Sequence, residues 1–347
     1  MTLAPVAVPD WIARLPKAEL HLHLEGAATP EFIVELAQRR GQSLALKEAQ
    51  GRFRFSDFMG FLLAYKWACE QLRAPEDYAA LLRHVAARLH EQNVLYVELT
   101  LSAGVVLWKK QDLDAIGEAL FQAAEEVRRE NGLEVRWILD AVRNFGPEHV
   151  ARVAESALRW KDAGVVAFGV GGLEEEGPAG LFRATFDKIR AAGLHVTVHA
   201  GETDGPESIR AALDALGAER IGHGLAAFRD PELVARLKEQ RIALEVCPTS
   251  NRCTGALEQQ TGSNDLNRHP LPGYVRGGLC VTLNTDDPGF FDTDLNREYA
   301  LAHQLGLTRE EILRVAQTAF DSAFCDPALK QSLLQRFRAA ADSVNPS

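Results

Sequence analysis

Segments rich in apolar and β-branched residues recur eight times: Lys17–Glu25, Val94–Ser102, Glu134–Val142, Val165–Gly172, His195–Glu202, Arg220–Gly224, Ala243–Asn251 and Cys280–Pro288. Most are followed by stretches whose apolar positions repeat with helical period, the alternation expected of a parallel sheet. Eight such units predict an α/β fold, a closed (β/α)8 TIM barrel. An open doubly wound sheet would bind ligand at one switch point, whereas here polar residues gather at the ends of several strands. The region about 30–93 holds helical patterns at Pro30–Arg40, Ser56–Gln71 and Pro75–Gln92, so a helical insertion is expected after strand 1. Its aromatic run, Phe53, Phe55, Phe58, Phe61, Tyr65 and Trp67, reads mainly as helix packing, with one or two rings free to line a pocket. Thr308–Val344 reads as C-terminal amphipathic helices packed across the barrel, and residues 1–347 as one domain.

Composition narrows the class. With 46% hydrophobic and 25% charged residues and no low-complexity tract or repeat, the chain is expected to be a globular enzyme. A formal net charge of −10 argues against nucleic-acid or anionic-membrane partners and suits a small neutral or cationic ligand. Five cysteines, widely spaced and without a C-x-x-C pair, suggest neither a disulfide framework nor a thiolate zinc site, so a cytoplasmic setting is expected. Asp10 and Arg14 interrupt the run a signal peptide would need, and no apolar stretch of about 18 residues occurs. Oligomeric state is not encoded in any pattern seen here.

The chemistry gathers at the carboxyl ends of the strands. His21-Leu22-His23-Leu24-Glu25 ends the first; a period of two puts both imidazoles and Glu25 on one face. Alone, H-x-H is better read as two surface or core histidines. Strand five ends in His199-Ala200-Gly201-Glu202, which as a tetrapeptide could be an ordinary turn, and strand six in Gly222-His223-Gly224, which could be a buried, satisfied histidine. Strand eight ends in Asn284-Thr285-Asp286-Asp287-Pro288, where Asp before Pro also suits a helix cap. Together these histidines and acids on one barrel rim favour a metal site. Three neutral imidazoles and a carboxylate, His21, His23, His199 and Asp286, suit Zn²⁺ or another borderline first-row ion rather than Mg²⁺ or Ca²⁺ and leave a position for water. Such an ion lowers the pKa of bound water toward ~7, which favours hydrolysis.

The ordered set Pro16–Gly26, His199–Glu202, Gly222–Gly224, Cys247–Asn251 and Asn284–Pro288 resembles the adenosine deaminase family over roughly Leu15 to Pro288. The resemblance implies that one Zn²⁺ is held by His21, His23, His199 and Asp286. It implies Glu202 as the acid/base that protonates purine N1, and His223 with Asp286 as the groups that orient the attacking hydroxide. Asp287 would grip N7, and the Gly171-Gly172 backbone would contact N3, with Glu174 two residues on. The sequence departs from the family at Gly169 and Glu25, where an Asp is usual. Both lie toward the sugar side, so they bear on which substrate is taken: a purine nucleoside, adenosine or a 5′-modified relative such as 6-amino-6-deoxyfutalosine, or alternatively free adenine.

Other readings have distinct marks. Two-metal hydrolases on this fold need a bridging Lys at the end of strand four, and Val165–Gly172 contains none. The H-x-E and P-C-x-x-C of base deaminases of another fold are matched only at His23-Leu24-Glu25, since Cys247-Pro248 reverses the second. A catalytically inactive purine-binding barrel would be expected to have lost a ligand or Glu202, and all are present.

Overall fold

The computed structural model describes residues 6–344. Its eight strands, β1 (Lys17–His23), β2 (Val94–Leu101), β3 (Glu134–Val142), β4 (Val165–Gly171), β5 (His195–Ala200), β6 (Arg220–His223), β7 (Ala243–Val246) and β8 (Cys280–Leu283), pair in chain order. Every ladder is parallel, with helices between the strands, so the predicted α/β barrel is the observed fold. Strands covered on both faces need apolar side chains on both; β2 is accordingly buried along its whole length.

The seam between β8 and β1 is made by an isolated bridge. Asp286 N–H donates to the His21 carbonyl at 3.0 Å, and the Asp286 carbonyl accepts from His23 N–H at 2.9 Å. Asn284 Oδ1 stands in for a backbone carbonyl, accepting from Leu20 N–H at 2.9 Å. Asp286 sits in the left-handed region at φ 65°, a conformation that costs on the order of 1 kcal/mol for a non-glycine residue and is held by these bonds.

Four of the predicted strands end two or more residues early. β1 gives way to a 3-10 turn at Glu25–Ala27, β5 ends before Gly201 (φ 69°), β7 is followed by a helix from Pro248, and β8 ends at Leu283. Gly201 at positive φ ends β5 and Pro248 opens the helix after β7, while Asp286 at φ 65° bends the chain after β8 and the turn after β1 needs neither residue type. The alternation therefore carries His21 and His23 to one face but does not extend to Glu25.

The insertion comprises helices Pro30–Arg39, Leu46–Arg52, Phe58–Gln71 and Pro75–Glu91. Thr29 caps the first, accepting from Phe32 N–H at 3.2 Å with Pro30 in the first turn, and Asp57 caps the third. Phe53 stacks on Phe290 at 4.4 Å, so part of the aromatic run is packing. The helix Arg309–Ser322 opens with a capping box, Thr308 with Glu311, and packs on β1 and β8. All five cysteines are free, and no helix of the described residues is long and apolar enough to cross a membrane.

Candidate active site

His21 and His23 project from β1, His199 from β5, and Asp286 from the turn after β8. Asp286 Oδ1 lies 3.4 Å from His21 Nε2 and 3.3 Å from His23 Nε2, and His23 Nε2 lies 3.2 Å from His199 Nε2. Four residues from three separate strand ends thus aim donor atoms at one point. Gly222 makes room: a Cβ there would come 2.8 Å from His21 Cε1. Two of the four are themselves oriented. His21 Nδ1 bonds Glu245 Oε2 at 2.7 Å, and Ser250 Oγ donates to Asp286 Oδ2 at 2.7 Å. Glu245 also takes the Arg220 guanidinium at 2.6 Å, and Arg220 reaches Glu98 and stacks on Phe324, so a buried ion-pair network supports the histidine from below.

The donor set fits a cation. His21 Nε2 is buried without a hydrogen-bond partner among the described residues. Burial opposes charge on that ring, yet the adjacent Asp286 and Glu245 carboxylates override it and push its pKa up to about 10, so the centre favours positive charge. Burial holds His23 down at about 4 and, with the neighbouring rings, His199 well below its usual value, leaving neutral imidazoles. Carboxylate plus neutral imidazoles is the chemistry of a borderline first-row ion.

Glu202 follows β5. Burial, reinforced by the Asp286 and Glu174 carboxylates, holds its carboxyl well above the usual range, which favours its protonated form. The residue that places it is Glu174. Its buried carboxylate accepts from the N–H groups of Gly201 at 2.7 Å, Glu202 at 2.9 Å and Thr203 at 2.8 Å, and from Ser208 Oγ. His223, at φ 62°, brings Nε2 to 3.5 Å from Glu202 Oε2. Asp287 opens the short helix Pro288–Phe291 without any side-chain cap bond, so capping is not its role. Burial and then Asp286 push its carboxyl well above the usual range, and its Oδ1 has no partner among the described residues.

His23, His199, Glu202, His223, Asp286 and Asp287 form the polar end of a cavity of about 330 Å³ whose wall also includes Gly171, Gly172 and Asp140. Glu25 does not line it. Its carboxylate turns behind the wall to Ser102 N–H at 3.3 Å, while Tyr65 Oη meets Ser102 Oγ at 2.6 Å. Gly169 is paired in register with Asp140, whose Oδ1 lies 2.9 Å from where a Cβ on Gly169 would stand. The space that a side chain at residue 169 would need is thus taken by a carboxyl from the neighbouring strand, which burial pushes up to about 7. Sequence reading missed Asp140, Glu245 and the role of Glu174. A lone acid in an otherwise apolar strand, as in Trp137–Val142 and Ala243–Val246, was the available signal for the first two.

A family model described as adenosine deaminase matches residues 16–340. The chain belongs to the adenosine deaminase family. An aminodeoxyfutalosine deaminase of Streptomyces avermitilis is 40% identical over 327 residues, covering 92% of this chain and 90% of that protein. An adenine deaminase of Mesorhizobium japonicum is 39% identical over 332 residues, covering 94% and 99%. An amidohydrolase of Burkholderia ambifaria with bound Zn superposes with a TM-score of 0.85 at 25% identity, covering 96% and 94%. Membership makes this protein a hydrolytic enzyme of the deaminase class, and its His/Asp cluster is one that can hold a metal.

Proposed function

We propose that this deaminase replaces the 6-amino group of a purine nucleoside by oxygen, and that its preferred substrate bears a 5′ substituent, as in 6-amino-6-deoxyfutalosine. Zn²⁺ is the ion proposed for His21, His23, His199 and Asp286; when bound, it supplies a water ionised near neutral pH. Protonated Glu202 gives its proton to N1, which makes C6 electrophilic, and Asp287, protonated, donates to N7. Oxygen adds at C6, the C6–N bond breaks, and Glu202 carries the proton from the attacking water to the departing ammonia.

One observation carries the substituted nucleoside. Beyond the polar end, the cavity continues into an apolar chamber walled by Phe58, Phe61, Leu62, Val105, Trp108 and Phe145. Trp108 and Phe145 stack at 6.0 Å and 12°, and Lys66 Nζ lies 5.1 Å over the Trp108 ring. A bare base bound at Asp287 and Glu202 would leave this chamber wet, whereas a flat 5′ group would bury it. Free adenine is the second reading, favoured by the similarity to the Mesorhizobium japonicum enzyme. Ranking adenine, adenosine, 5′-methylthioadenosine and 6-amino-6-deoxyfutalosine by kcat/KM tests the proposal. The expected order has the last compound first; adenine first would overturn the substrate assignment, and no ammonia from any of them would overturn the reaction.

A further inference from the structure

Behind the cavity wall, His269 and Asn251 form a row with the lining residue His223 that the reaction above does not use. The Leu271 backbone N–H donates to His269 Nδ1 at 3.1 Å. A backbone amide only donates, so Nδ1 holds a lone pair. The ring is buried, which pushes its pKa down to about 3, so it is neutral with its one proton on Nε2. That N–H donates to Asn251 Oδ1 at 3.2 Å. The amide is thereby oriented, and its other end, Nδ2, meets His223 Nδ1 at 3.1 Å. An amide nitrogen also only donates. His223 Nδ1 is therefore an acceptor.

We propose that Asn251 and His269 are positioning residues that hold His223 in its Nε2–H form, making the ring a hydrogen-bond donor into the reaction centre. Two consequences follow. Nε2 faces Glu202 Oε2 at 3.5 Å and Asp286 Oδ2 at 4.0 Å, so the donor points among acceptors. In the other tautomer it would compete with Glu202 for protons. Geometry alone also permits His223 to join His21, His199 and Asp286 around a cation, their donor atoms lying within 4.8 Å of one another. A nitrogen that carries hydrogen has no lone pair to give, which leaves that place to His23. Assigning the oxygen arriving at C6 as the target of the donor rests on the proposed deamination; the tautomer itself does not.

The experiment is ¹⁵N–¹H long-range NMR of ¹⁵N-histidine-labelled full-length protein, metal-free and zinc-loaded, which reports the protonated nitrogen of each ring. His223 and His269 are expected as Nε2–H in both states. Asn251→Asp, which puts an acceptor against Nδ1, should move the His223 proton to Nδ1. It should also lower kcat by about 100-fold or more, with KM and zinc content unchanged, because the ring then has the wrong tautomer. His269→Gln keeps an N–H for Asn251 and should retain the His223 signature and most of kcat. Nδ1–H on His223 in the unsubstituted protein, loss of zinc in Asn251→Asp, or wild-type kcat in that variant would each overturn the proposal. The spectrum of the unsubstituted protein needs no turnover, so an Nε2–H signature without deamination would refute the proposed function alone.

Discussion

The two ends of the cavity are built differently. At the polar end each reacting side chain leaves a strand end or the turn after it, and most are held by a further buried partner: Glu245 on His21, Ser250 on Asp286, Glu174 behind Glu202. At the mouth the wall comes from faces of the helices Phe58–Gln71 and Ala103–Trp108 and from Phe145, and Trp108 is 47% exposed. Lys66 there is exposed and makes no ion pair among the described residues. The contrast separates two demands. Proton transfer and metal ligation need groups fixed within a fraction of an ångström, which ladders and buried bonds provide. Recognition of an apolar group needs only a surface of the right shape, which helix side chains supply while staying adjustable.

Changes at the polar end should therefore act on turnover and changes at the mouth on substrate choice. The largest effect is expected from Glu202→Gln, which keeps the shape but cannot shuttle a proton: kcat should fall by about 1000-fold or more with metal content intact. A normally active variant would remove Glu202 from the mechanism. Glu174→Gln comes next, loosening the clamp on Gly201–Thr203; a loss of about tenfold to 100-fold in kcat is expected at unchanged zinc content. If KM alone moved, Glu174 would belong with the mouth. Trp108→Ala should raise KM about tenfold for a 5′-substituted nucleoside and leave adenine turnover alone. Equal losses on both would erase the division between the two ends.

The smallest effect is on stability. Buried Glu298 accepts from Thr249 N–H at 3.2 Å and from Thr293 Oγ1, tying down the helix Pro248–Cys253 that carries Ser250 and Asn251. Burial pushes its carboxyl up to about 7. The folded state thus holds this proton more tightly than the unfolded chain. Its contribution is full at acid pH, below the unfolded value, and is lost as pH rises through about 7. Glu298→Gln should flatten that decline by on the order of 1 kcal/mol between pH 5 and 8, read by denaturant unfolding at each pH. An identical pH dependence in the variant would show that Glu298 does not titrate there.

Strand count, strand order and the set His21, His23, His199, Glu202, His223, Asp286 and Asp287 were legible because each sits where a local pattern stops: an apolar run ends and polar residues with Gly or Pro begin. Glu25 shows the limit of that reading. The period of two holds only while the backbone stays extended, and the turn at Glu25–Ala27 ends it two residues after His23. Aromatics at helical spacing were ambiguous for a related reason. Phe53 packs on Phe290 while Phe58, Phe61 and Tyr65 reach the cavity, and spacing along the chain does not say what lies across from a ring.

By itself, then, the sequence determined which side chains are available for chemistry and on which strand ends they stand, since both follow from residue type and local period. Tertiary structure alone decided that Asp140 fills the place left by Gly169, that Glu174 grips the loop of Glu202, that Asp286 closes the barrel, and that Asn251 turns its amide nitrogen toward His223. Each of these pairs residues far apart in the chain. Register between neighbouring strands and the paths of the connecting loops set those distances, and no short window of sequence contains them.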